Sequence, residues 1–123
     1  PTAFRNYVTI AQEMQKQMPA KTICCWRKPE FFTYFAPDLY AMNYLYSTEP
    51  EEVIRDLIDK QIKYVVLEQL GYASTVRYLY PAIVANPELF DLVWQLPDPD
   101  TYLLKFNREK AMEKFPSIKA NKY

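Results

Sequence analysis

The sequence predicts an α/β protein: a three-layer α/β/α sandwich around a mostly parallel sheet, closed by a C-terminal antiparallel hairpin. Three observations lead there. Segments of helical periodicity alternate with short β-branched and aromatic runs, the pattern of strands linked by right-handed crossovers. Thr22–Trp26 and Tyr64–Leu67 are apolar at consecutive positions, as strands covered on both faces are. Two further strand-like runs, Leu89–Leu96 and Thr101–Phe106, flank Pro97-Asp98-Pro99-Asp100, a composition that turns a hairpin.

Each element has a local reason. Phe4, Tyr7, Val8, Ala11, Met14 and Met18 recur at helical spacing over residues 2–18, and Pro19 ends the stripe. After the first strand, Arg27-Lys28-Pro29 opens a short aromatic helix carrying Phe31, Phe32, Tyr34 and Phe35, which Pro37 stops. Leu39–Tyr46 is the second strand, with Tyr40, Tyr44 and Tyr46 on one face. Such a stripe covers a helix or lines a sheet edge, or it stacks on a sugar or a partner. Thr48-Glu49-Pro50-Glu51 has capping-box spacing and starts a helix that buries Val53, Ile54, Leu57, Ile58 and Ile62. A helix from about Ser74 follows the third strand, burying Val76, Leu79, Tyr80, Ile83 and Val84, with a kink or break expected at Pro81. Asn107 caps the last helix, through about Phe115.

The 123 residues suit one domain over 1–115 with a loose tail over 116–123. Half the chain is apolar, so a packed core is expected rather than disorder. Fifteen basic residues balance fifteen acidic ones, which argues against a nucleic-acid partner. The balance is uneven locally: six cations face two carboxylates from Lys105 to Tyr123, either a solvated terminal helix or a segment drawn to anionic lipid. No histidine is present, which excludes Ser-His-Asp and Cys-His nucleophile systems and histidine metal sites. No apolar run is long enough to span a bilayer. The chain starts at Pro1 with no Met and no signal peptide, as a piece of a longer protein would.

The two cysteines, Cys24 and Cys25, are neighbours in a strand and point to opposite faces. Neither redox nor zinc spacing surrounds them, so they are expected to be core filler. A single glycine excludes dinucleotide and P-loop phosphate cradles. Asp98 and Asp100 are explained by their turn, and no cofactor, metal or catalytic residue is predicted. The candidate ligand-binding residues are Arg27 and Lys28, at the carboxyl end of the first strand and ahead of a helix, and Glu68 and Gln69, leaving the third strand at the same edge. Were strands one and three neighbours, Arg27 and Glu68 would face each other across a small cleft as a salt bridge worth under about 1 kcal/mol if exposed.

Three segments, "TICCWRKPEFFTYF", "VIRDLIDKQIKYVVLEQLGY" and "YLYPAIVANPELFDLVWQLPDPDTYLLKF", resemble in order and spacing the C-terminal soluble part of bacterial C-type membrane glycosyltransferases. These are related to protein mannosyltransferases and aminoarabinose transferases. The likeness spans roughly residues 7–106. It implies a periplasmic, extracytoplasmic tail domain of an inner-membrane protein whose parent takes a sugar from a polyprenyl-phosphate carrier. The implied partners are the membrane portion of the parent chain and a glycan or lipid-linked sugar. The family's catalytic aspartate belongs to a loop between membrane helices, and no residue here matches it, so this domain is expected to be non-catalytic. The alternative is a free-standing, flavodoxin-like binding or interaction module with no enzymatic activity; a small enzyme fits least.

Overall fold

A computed structural model describes residues 2–68 and 73–117. Helix α1 (Thr2–Gln17) leads through β1 (Ile23–Cys25), α2 (Glu30–Phe35), β2 (Tyr40–Met42) and α3 (Pro50–Asp59) to β3 (Tyr64–Glu68). A π-helical turn (Thr75–Leu79) runs into α4 (Tyr80–Ala85), and β4 (Phe90–Leu96), β5 (Thr101–Phe106) and α5 (Arg108–Lys114) follow.

The strands form one five-stranded sheet in the order β2-β1-β3-β5-β4. β1 is parallel to both β2 and β3, with Cys24 opposite Ala41 and Tyr64. β5 is antiparallel to β3 and to β4. The sheet is therefore mixed, two pairings parallel and two antiparallel, which overturns the mostly parallel sheet the sequence predicts. The physical reason lies in β5. It buries Thr101, Leu103, Leu104 and Phe106, so it takes an interior place against β3 instead of extending the sheet as an outer ribbon. β4, which exposes Asp91, Leu92, Val93 and Gln95, is left as the edge. The apolar run of β3 encodes cover on both faces but not the direction of its neighbour.

Side chains alternate between two cores. Cys24, Trp26, Val66 and Leu103 pack with Tyr7, Ile10 and Met14 of α1 and Phe32 of α2. Cys25, Val65, Leu67 and Leu104 pack with Val53, Ile54 and Leu57 of α3 and with Leu79 and Ala82. Successive strand residues enter opposite clusters, so helices cover both faces.

Three local departures from expectation have physical causes. β2 is only Tyr40–Met42, because the chain after it bonds to α3 instead of to β1. Leu45 N–H donates to Asp56 Oδ2 at 3.0 Å, and Lys60 Nζ donates to Asn43 O at 2.8 Å. The tyrosine stripe is broken with it: Tyr44 is buried, while Tyr40 and Tyr46 are exposed. At the kink or break expected near Pro81 the helical run over 73–85 widens into a π-turn, Tyr80 N–H reaching back to Thr75 O, and α4 follows with Pro81 in its first turn. The wide turn thus ends where proline, which brings no N–H to the helix, enters. The wider turn also shifts the phase: Leu79 and Ala82 are buried, whereas Val76, Tyr80 and Val84, expected in the core, are exposed. The cap predicted at Asn107 is formed, its Oδ1 accepting from Lys110 N–H at 3.0 Å.

Candidate functional site

The carboxyl ends of β1 and β3 are adjacent in the sheet, and that adjacency assembles the site. Trp26 stays in register through its N–H, which donates to Met42 O at 2.9 Å. Its ring is fully buried, edge-on to Tyr7 and Phe32 and stacked on Phe31. Arg27 and Lys28 follow at the rim, both half-buried.

Arg27 turns toward the π-helical segment. Its Nε donates to Ser74 Oγ at 3.1 Å. Ser74 Oγ in turn lies 3.0 Å from the Tyr44 hydroxyl, which is 3.2 Å from Thr75 Oγ1. Burial raises the Tyr44 phenol above its ordinary value, against the Ser74 and Thr75 hydrogen bonds that favour its ionised form. Beside this chain, Tyr46 is stacked on Tyr78 with ring centroids 5.0 Å apart, and Asn43 Nδ2 donates to the Tyr46 hydroxyl at 3.2 Å. The Asn43 and Ser74 hydrogen bonds draw the Tyr46 phenol below its ordinary value.

Glu68 ends β3 with 1% of its surface exposed, in register with the buried Thr101. The salt bridge expected between Glu68 and Arg27 is replaced by a longer-range relationship. Neither Glu68 oxygen has a hydrogen-bond partner among the described residues, and the Trp26 indole N–H is likewise unmatched. Burial pushes the Glu68 carboxyl up to about 7, while Arg27, the nearby Trp26 indole and Lys28 favour the charged form. The indole thus influences the carboxylate without forming a hydrogen bond of normal length and angle. A buried carboxylate without donors is costly when ionised and is a marker of a functional site.

Of the four residues expected to bind ligand, Arg27, Lys28 and Glu68 share one end of the sheet, and Gln69 lies outside the described residues. Sequence reasoning missed Ser74 and Thr75 as polar members of the site. Two adjacent hydroxyls just past a strand end were the available signal. The Cys24 and Cys25 thiols are free and buried, one in each core. Burial pushes Cys24 up to about 12 and Cys25 further still.

Other clefts lie elsewhere on the described residues. One of about 520 Å³ runs between α3 and α5 beside Arg55, Ile58 and Phe115; another of about 560 Å³, at the opposite end of the sheet, is lined by Lys21, Lys63, Asp91 and Lys105. Neither lining includes a buried unpartnered polar atom, whereas Glu68 and Trp26 at the strand ends carry such atoms. Among the described residues no group of three His, Cys, Asp or Glu side chains could hold a metal ion, and no helix is long and apolar enough to cross a membrane. The rim can instead offer two cations to an anion, and the Ser74 hydroxyl and the Tyr46–Tyr78 pair to a polar body attached to it. No protein-family model, curated protein or solved structure matches the chain.

Proposed function

We propose that this chain is a non-catalytic, extracytoplasmic accessory domain of a membrane glycosyltransferase, and that its strand-end rim holds the phosphate of a polyprenyl-phosphate-linked sugar. The resemblance over residues 7–106 supplies the class of parent and of ligand. The observation that carries the ligand reading is the grouping of Arg27 and Lys28 above the unpartnered Glu68 at the ends of two adjacent parallel strands. Arg27 and Lys28 take the phosphate charge in this reading, and Ser74, bonded to Arg27, and the exposed Tyr46 are the neighbouring groups suited to a sugar. Among the described residues the rim carries no acid–base pair of the kind glycosyl transfer uses, in keeping with a positioning role.

A second reading, an interaction module attached to no enzyme, is favoured by the exposed stripe Val76, Tyr80 and Val84 on one helix face.

Calorimetric titration of the chain with a water-soluble, short-chain prenyl-phosphate hexose tests the first reading. The wild type is expected to bind, and Arg27→Ala/Lys28→Ala to bind at least about tenfold more weakly, as the loss of charge-assisted contacts implies. Equal binding by both proteins, or none by either, removes this site and favours the interaction module.

A further inference from the structure

We propose that anion binding at Arg27 and Lys28 is coupled to protonation of Glu68: one proton enters from solvent onto a Glu68 oxygen as the anion settles, and leaves with it. This inference rests on the anion site proposed above and adds its regulation by pH.

Glu68 is held between two opposing effects. Burial at 1% exposure favours the neutral acid, and no hydrogen bond among the described residues holds the charged form. The fields of Arg27 and Lys28 favour the carboxylate. An anion seated on those cations cancels much of their field at Glu68 and leaves the burial unchanged. The neutral acid then gains. No contact between ligand and Glu68 is required, which matters because both its oxygens are shielded from solvent.

The neighbours leave Glu68 as the group that responds. From the β1 exit, Arg27, Lys28 and the Trp26 indole act on it. Its charge acts on Cys25 of β1 and on Tyr44 after β2, and both are held neutral by burial. β5 presents the uncharged Thr101 in register. From α1, Tyr7 packs on the Trp26 ring, and the π-helical segment contributes Ser74 through Arg27. Tyr46 senses Arg27 from the rim. No second carboxylate is among the groups acting on Glu68 within the described residues.

The same short-chain prenyl-phosphate hexose is a suitable probe, because a phosphodiester keeps one charge over this pH range. Titration in two buffers of different ionisation enthalpy counts the protons exchanged. Near neutral pH the wild type is expected to take up a fraction of a proton, never more than one, and its affinity to fall by about fivefold from about pH 6 to about pH 8. Glu68→Gln, isosteric with the neutral acid, is expected to bind with the low-pH affinity at every pH and to exchange no proton. Binding by the wild type with no proton uptake, or an undiminished uptake by Glu68→Gln, overturns the coupling and leaves the anion site standing. Absence of binding at every pH, or binding unaffected by Arg27→Ala/Lys28→Ala, overturns the site and the coupling with it. Should Glu68→Gln not fold, the wild-type proton count decides alone.

Discussion

Arg27 and Ser74, far apart in sequence, are joined by one hydrogen bond of 3.1 Å that ties the exit of β1 to the start of the π-helical turn. Ser74 passes the connection to Tyr44, and Tyr44 to the buried Thr75. The rim therefore rests on a line of hydroxyls that positions Arg27.

Tyr44→Phe tests that line. The substitution keeps the ring in the core and removes the hydroxyl that pairs with Ser74 and Thr75. Thr75 Oγ1 is then left buried without this partner. The expected cost is about 1–2 kcal/mol, read as a lower urea midpoint with an unchanged slope. A midpoint equal to the wild type would show that the hydroxyl line contributes nothing to the fold.

Glu68 sets a second expectation, on stability rather than binding. Its carboxyl is raised from an ordinary 4.5 to about 7 in the folded protein. Between those values the folded state holds a proton that the unfolded state has lost. Stability from this group therefore falls as pH rises through that window and levels off above it, by on the order of 3 kcal/mol in total. Other carboxylates contribute their own slopes, so the comparison with Glu68→Gln isolates this one. The variant is expected to gain on the wild type steadily from about pH 5 to about pH 7. Parallel urea midpoints across that range would assign Glu68 an ordinary titration.

Much of this architecture is legible in the sequence because the relevant signals are short-range. The stripe Val53, Ile54, Leu57, Ile58 and Ile62 and the Asn107 cap both rest on neighbouring residues, and both are formed. The direction of β5 relative to β3 is different in kind, for it depends on which distant strand accepts the hairpin. The π-turn is also hidden: its extra residue re-phases Val76, Tyr80 and Val84 to the surface, although their spacing suits a buried face. In the candidate site, position at a strand end was enough to bring Arg27, Lys28 and Glu68 to one end of the sheet. The depth of Glu68 was not legible, since its burial comes from elements remote in sequence.

The thiols supply a chemical test of the two cores. Cys24 and Cys25 are both fully buried, and burial raises both well above the ordinary range. A thiol reagent at about pH 8 is expected to modify neither cysteine in the native chain, and both in denaturant. Reaction of either cysteine at the rate of a free thiol under native conditions would place it outside the core. Cys25→Ser, which sets a hydroxyl among Val65, Ile54 and Leu57, should cost about 1–3 kcal/mol.

Asn6 gives the last test, at the hairpin that the sequence predicts without its anchor. Its Nδ2 donates to Pro97 O and Pro99 O, each at 2.9 Å, and lies 3.3 Å from Thr101 Oγ1. One amide from α1 thus clamps the turn between β4 and β5. Asn6→Ala removes the clamp and should cost about 1–3 kcal/mol. Asn6→Asp separates the hydrogen bond from simple packing, because the shape is kept while an ionised carboxylate brings no donor to these acceptors. The aspartate variant is expected to be the less stable of the two at neutral pH. It should recover part of the loss in acid, where a protonated carboxyl can donate once. Thermal unfolding of both variants at about pH 4 and about pH 7 measures this, and an aspartate variant as stable as the wild type at neutral pH would mean that the turn is held without α1.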